Sequence, residues 1–204
     1  MFELIIATSN KDKFEEIRDI LKGLKIRLYS LSDFKKVPRI KEDGSSFLEN
    51  AAKKAVVVSR FLKGYAVADD SGLEVDFLDG RPGIYSARFA GKQADYSANN
   101  RKLLKLLKGV PFSKRKAKFI CCVCFAYKGR VLSHFYGYLK GYIIEQEKGR
   151  NGFGYDPLFY LPAYKKTLAQ MPARLKNSLS HRYKAFVKFK RYLQAFLKKN
   201  KVSI

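Results

Sequence analysis

Short apolar runs alternating with amphipathic stretches set the fold class of this chain. Leu4-Ile-Ile-Ala7 is too short for a helix and reads as a buried strand. Phe14, Ile17, Ile20 and Leu21 then fall on one face of a helix over about 12–22, with Gly23 as its stop. The alternation repeats with a strand near Ile26–Leu31 and a helix opened by the capping-box spacing of Ser46-Phe-Leu-Glu49, running to about Leu62. An apolar strand at Tyr65–Ala68 precedes a helix over about 97–108 that carries Leu103, Leu104, Leu106 and Leu107. Ala117–Tyr127 and Val131–Tyr138 form a predicted hairpin around Lys128-Gly-Arg130, with further strand at Gly141–Glu147. A last helix is expected from Ser180 to about Lys199, striped by Phe186, Phe189, Leu193, Phe196 and Leu197. Strands and helices in alternation predict an α/β protein, a sheet covered by helices.

At 204 residues, with no repeat and no low-complexity linker, the chain suits one domain spanning 1–204 or two packed lobes. No apolar run approaches the roughly 20 residues needed to cross a bilayer. The opening Met1-Phe-Glu-Leu lacks a basic segment, so a cytoplasmic protein without a cleaved signal is expected, and no membrane partner. Cys121, Cys122 and Cys124 crowd into one apolar run; Cys122 and Cys124 would share a strand face, a poor geometry for a disulfide. A zinc site would need a second Cys or His group at suitable spacing, which is lacking, so buried reduced thiols are expected. The formal net charge of +24 favours anionic partners, whether nucleic acid, acidic membrane or phosphorylated metabolites, and does not choose among them.

Four places could carry chemistry. Thr8-Ser9-Asn10 ends the first strand and feeds a helix, aiming backbone amides at one point with Lys11 and Lys13 nearby. Capping alone also explains these residues, and the glycine-rich Walker pattern is absent. Asp69-Asp70 is either a solvated turn or a pair of oxygen ligands suited to Mg²⁺ and substrate phosphate. Asp156, the sole acidic residue beyond Glu147, lies beside Phe153, Gly154 and Tyr155 in a Gly-rich loop. It reads as a structural cap or as the polar part of a purine pocket, with an aromatic surface for stacking. Ser180 is a plausible N-cap, but His181 and Arg182 are cations at a helix start, where an anionic or carbonyl-bearing ligand would compensate. His134 is expected to be structural.

Taken together, Thr8-x-Asn10-x-x-Lys13-x-x-Glu16, Glu42…Phe47-x-Glu49-Asn50-Ala51, Ala68-Asp-Asp-Ser-Gly-Leu73, Pro82-Gly-Ile-Tyr-Ser-Ala-Arg88, Gly152-Phe-Gly-Tyr-Asp-Pro157 and Ser180-His-Arg182 resemble the inosine triphosphate pyrophosphatase (XTP/dITP diphosphatase) family, in that family's order and over nearly the whole chain. The resemblance implies an elongated mixed β-sheet flanked by helices, two lobes with the active-site cleft between them, and a homodimer. It implies Mg²⁺-dependent hydrolysis of ITP, dITP and XTP to the monophosphate and pyrophosphate, by water attacking between the α- and β-phosphates. It also implies roles: Lys13 and Thr8-Ser9-Asn10 on the triphosphate, Glu42, Asp70 and Asp69 on the metal, and Asp70 as general base with Lys13 as its catalytic companion. Ser71, Gly154 and Tyr155 join the substrate-binding set, Phe153 stacks on the base, and Asp156, Lys176, His181 and Arg182 shape its recognition. The chain departs from the pattern at Ser9 and Asp12, where glycine is usual, and at Gln170-Met-Pro-Ala-Arg174, where acidic residues are typical.

A basic nucleic-acid-binding protein is the rival from another class. It accounts for the charge but not for Glu42, Asp69 and Asp70, since carboxylates beside a phosphate backbone repel it unless a metal intervenes. No specific nucleic-acid partner is therefore expected. Maf-like nucleotide pyrophosphatases share the reaction but fit these motifs less well.

Overall fold

The computed structural model describes residues 1–91 and 95–200. Seven strands form one mixed sheet in the order β2-β1-β3-β4-β5-β6-β7. The strands are β1 (Phe2–Ile6), β2 (Ile26–Ser30), β3 (Tyr65–Val75), β4 (Lys116–Tyr127), β5 (Arg130–Ile143), β6 (Phe159–Leu161) and β7 (Lys166–Thr167). β1 pairs in parallel with β2 and β3, whereas β6 runs antiparallel to β5 and to β7. The helices are α1 (Lys11–Leu21), α2 (Phe47–Phe61), α3 (Tyr96–Leu106), α4 (Ala173–Leu179) and α5 (His181–Lys199). None is long and apolar enough to cross a membrane among the described residues. The α/β expectation is met.

Two compact units divide the chain. The first comprises Met1–Asp70, Cys121–Gly137 and Arg182–Ile204, and the second Ser71–Ile120 and Tyr138–His181. The first unit has apolar packing on both faces of its part of the sheet. On one face, Leu4, Ile6 and Val67 pack with Ile17 and Leu21 of α1 and Phe186, Phe189 and Leu193 of α5. Ile5 and Ala66, one residue out of phase, meet Val58 of α2 on the other, as the two-residue period of a strand requires. The second unit has its own core, built around Leu73, Leu103, Phe119, Ile143, Phe159 and Met171.

Most elements lie within two residues of their expected bounds. Two do not. β3 does not end at Ala68 but continues through Asp69-Asp70-Ser71 to Val75. β5 is one strand of 14 residues where two were expected. The helix expected from Ser180 to about Lys199 is met by α5 (His181–Lys199), with Ser180 directly before it in extended backbone, φ −62° and ψ 152°; the short α4 precedes it and takes the same Ser180 as its C-cap. The capping box at α2 is half-formed: Ser46 accepts from the Glu49 amide, but the Glu49 carboxylate turns to the amide and hydroxyl of Ser45.

β4 and β5 are joined by Lys128 and Gly129 alone, with φ of 45° and 83°, the left-handed pair that a two-residue type I′ turn needs. Cys121, Cys122 and Cys124 are buried in β4 and unoxidised, as expected. Burial pushes the Cys122 thiol up to about 11 and the Cys124 thiol up to about 12.

Phe189 is fully buried between Phe125, Phe135 and Phe186. Phe189→Ala is expected to cost about 3–5 kcal/mol, the usual effect of emptying so large a core position. A urea titration followed by far-UV circular dichroism measures it.

Candidate active site

Asp69 and Asp70 are adjacent, and both are buried. In a strand, neighbouring side chains leave opposite faces, so each carboxylate meets a different set of cations. Asp69 Oδ2 is 3.5 Å from Lys13 Nζ of α1 and 3.5 Å from Arg182 Nε of α5. Asp70 Oδ1 is 3.5 Å from Lys54 Nζ of α2, and its Oδ2 accepts from Asn50 Nδ2 at 3.2 Å. The Asn50 amide is oriented for this because its oxygen accepts from the Gly44 amide at 2.8 Å. Lys54 Nζ also reaches Glu42 Oε1 at 3.2 Å.

The solvated-turn reading of Asp69-Asp70 is thereby excluded. Among the described residues no group of three His, Cys, Asp or Glu side chains is gathered as a preformed metal cluster, so Glu42, Asp69 and Asp70 do not meet at one point here. Asp69 is held by Lys13 and Arg182, while Glu42 and Asp70 converge on one point, occupied by the Lys54 ammonium. That ammonium stands in for a cation: two carboxylates converging on a positive charge fit Mg²⁺, which takes one or two carboxylates and completes its shell with water and substrate phosphate.

Removal from water pushes Asp70 up to about 6, with Glu42 and Asp69 adding to the rise and Lys54 and Asn50 opposing it. Lys54, largely buried, is nevertheless raised: the carboxylates of Asp70, Asp69 and Glu42 outweigh its desolvation. Lys54 is the residue that sequence reasoning missed. Its signal was there, since Asn50 and Lys54 are one turn apart on α2 and so share a face.

A cavity of about 450 Å³ lies within the first unit, lined by Thr8, Ser9, Lys13, Glu42, Lys54 and Asp69 on its polar side and by Leu31, Phe34, Val37, Pro38 and Ile40 on its apolar side. Asn10 is the N-cap of α1, its side chain accepting from the Lys13 amide at 3.0 Å, while Thr8 Oγ1 accepts from the Asn10 amide at 3.2 Å. Thr8 and Ser9 line the cavity as well, so the turn that caps α1 also faces this space.

The second unit holds the aromatic residues. Phe153 is half exposed, with Lys176 Nζ 5.0 Å from the ring centroid and the Tyr96 ring at 6.1 Å. The buried Asp156 carboxylate accepts from the Phe153 amide at 3.1 Å and from Lys176 Nζ at 3.0 Å. Gly152 has φ +82°, and a Cβ there would collide with that carboxylate. Asp156 thus folds the loop and fixes Lys176 beside the ring. Tyr155 is buried, its hydroxyl donating to the Ser86 carbonyl at 2.9 Å, and Gly154 offers its carbonyl to Asn100 Nδ2 at 3.2 Å. His181 stacks on Phe119 at 4.9 Å, and Ser71 follows Asp70 in β3, half-buried.

Arg182 belongs to the first unit, is buried, and pairs with Glu16 at 2.8 Å as well as with Asp69. In these contacts it is the counter-ion of two carboxylates.

A mixed α/β fold with carboxylates, lysines and a polar cavity gathered at the strand-to-helix end of one unit, and an aromatic-lysine platform in the other, defines a nucleotide-processing class of protein. The match to known proteins is specific: the Ham1 family model matches residues 4–192, and the chain belongs to that family. It is 47% identical over 186 residues to the dITP/XTP pyrophosphatase of Desulforamulus reducens, covering 91% of this chain and 92% of that protein. It is 46% identical to the dITP/XTP pyrophosphatase of Listeria monocytogenes, covering 98% of each. Among solved structures, a HAM1 protein from Coxiella burnetii superposes with a TM-score of 0.89 at 35% identity, over 96% of this chain and all of that one. A nucleoside-triphosphatase / dITP/XTP pyrophosphatase from Mycobacterium abscessus gives 0.77 at 34% identity, over 96% and 99%.

Two expected outcomes follow from these contacts. The folded protein keeps a proton on Asp70 up to about pH 6, whereas an unfolded chain releases it near 3.8. Between those values the native state binds more protons, so this contribution to stability is present at pH 4 and lost as pH rises through 6. Asp70→Asn should therefore raise the melting temperature at pH 7.5, by on the order of 1–3 kcal/mol in stability, and give little gain at pH 4; calorimetry of metal-free protein at both pH values checks this. Arg182→Ala removes the cation shared by the Asp69 and Glu16 carboxylates and leaves Lys13 beside Asp69, and a loss of up to about 3–5 kcal/mol is expected by urea unfolding.

Proposed function

We propose that this chain hydrolyses non-canonical purine nucleoside triphosphates (ITP, dITP and XTP) to the monophosphate and pyrophosphate, and so clears aberrant purines from the nucleotide pool. The observation that carries the reading is the convergence of Glu42, Asp70 and Lys54 beside the cavity of the first unit. The names borne by the relatives support the same substrate class.

Asp70 is the general base. A carboxyl pushed up to about 6 is a stronger base than an ordinary one and is still ionised at neutral pH, so it can take the proton of the attacking water. Asn50 fixes its orientation. Lys13 and Lys54 bring positive charge to the polyphosphate, and Thr8 and Ser9 line its place. Phosphoryl transfer depends mainly on such placement and charge neutralisation. Mg²⁺, held by Glu42 and Asp70 with substrate phosphate, would neutralise charge on the transferring group.

Phe153 offers a stacking face, and Lys176, held there by Asp156, donates to the 6-oxo group of hypoxanthine or xanthine. Adenine would instead set its 6-amino donor against an ammonium, leaving both without an acceptor. His181 is retained as a contributor to this end of the substrate. We assign the whole chain, 1–204, to one catalytic domain acting as a cytoplasmic homodimer.

The test is pyrophosphate release from ITP, XTP, dITP, GTP and ATP with Mg²⁺ and with EDTA. Metal-dependent release that strongly prefers ITP and XTP is expected, and Asp70→Asn should lower turnover by roughly 10²–10⁴. Equal rates on ITP and ATP, or release unaffected by EDTA, would overturn the reading.

A further inference from the structure

The cavity of the first unit has a third cation in its wall, Arg39, for which neither the family motifs nor the carboxylate pairs account. Lys13 and Lys54, the other two, are each tied to carboxylates, to Asp69 and to Glu42 with Asp70 respectively. Arg39 forms none of the ion pairs found among the described residues, although the side chain is exposed and lines the same space. Its charge is therefore uncommitted in a cavity whose remaining cations are largely balanced.

The backbone around it is well anchored. Pro38 fixes its own φ and restricts Val37 before it. Phe34 and Ile40, on either side, pack against the buried cluster of Ile5, Val58 and Ala66. Arg39 is thus an exposed guanidinium on a segment pinned by apolar neighbours, at the rim of a polar cavity large enough for phosphate groups. A guanidinium presents a planar fork of donors that matches a phosphate with two parallel hydrogen bonds, which an ammonium cannot do.

We propose that Arg39 is a phosphate-positioning residue, which grips the terminal phosphates of the substrate and retains the pyrophosphate product. This rests on the pyrophosphate-releasing reading of the same cavity. The consequence is product retention: an additional charge-assisted contact made by the leaving group in the ground state tightens binding more than it speeds the chemistry.

Binding of inorganic pyrophosphate, measured by calorimetry with Mg²⁺ present and no nucleotide, tests it without turnover. Arg39→Ala should weaken pyrophosphate affinity roughly tenfold and Arg39→Lys less, because the ammonium keeps the charge but not the fork. Arg191→Ala, which removes one exposed cation from α5 outside the cavity, should leave the affinity within about twofold. In steady state, Arg39→Ala should relieve inhibition by pyrophosphate to a similar degree. An unchanged affinity in Arg39→Ala, or an equal loss in Arg191→Ala, overturns the assignment; the latter would mean that only the overall charge matters. Wild-type protein that binds pyrophosphate yet releases none from ITP would sink the proposed reaction, while the affinities of the variants would still decide the role of Arg39.

Discussion

Two ionised residues side by side in a buried strand are the constraint around which the first unit is arranged. Burying either charge without a partner would cost several kcal/mol, so each face of β3 must supply cations at the same height along the sheet. On one face α1 and α5 provide Lys13 and Arg182 for Asp69; on the other α2 provides Lys54 and Asn50 for Asp70. The helices are placed by apolar packing, but the positions of those four side chains are dictated by the carboxylates. The proposed chemistry would use the asymmetry. Asp69 lies between two cations, whereas Asp70, with a lysine, an amide and the neighbouring Glu42, retains a raised affinity for protons.

The second unit solves a different problem, which is to present a large apolar ring to solvent without losing control of it. Phe153 sits in a loop kept tight by glycines at 152 and 154, both with left-handed φ, and the loop closes on the Asp156 carboxylate. That one carboxylate orders the backbone and anchors the lysine beside the ring. Under the proposed function, a base stacking there would meet a donor already in place, with little rotamer freedom left to lose on binding.

Much of this was legible in the residues themselves. Period-2 and period-3.6 patterns located most strands and helices because apolar burial, which dominates the energetics, leaves a periodic trace. The extension of β3 was not legible: Asp-Asp-Ser-Gly has turn composition, and only the cations brought by α1, α2 and α5 make a strand of it. Those partners are up to 113 residues away in the chain, and no local pattern encodes them. The partners of Arg182 were hidden for the same reason. A cation at a helix start looks like a ligand for something anionic, and it is one, but the anions are Asp69 and Glu16 of the chain itself. Lys54 shares a face of α2 with Asn50, but that spacing does not say what the face meets until Asp70 is seen opposite.

The three thiols of β4 carry a consequence of another kind. Thiolates, not thiols, react with alkylating agents and oxidants, and Cys122 and Cys124 are held protonated far above neutral pH by the packing around them. Their chemistry is silent for as long as the central strand stays covered. Each opening of the sheet that admits water returns them to ordinary acidity, so the rate at which a small alkylating reagent modifies the native protein becomes a clock for how often its interior breathes.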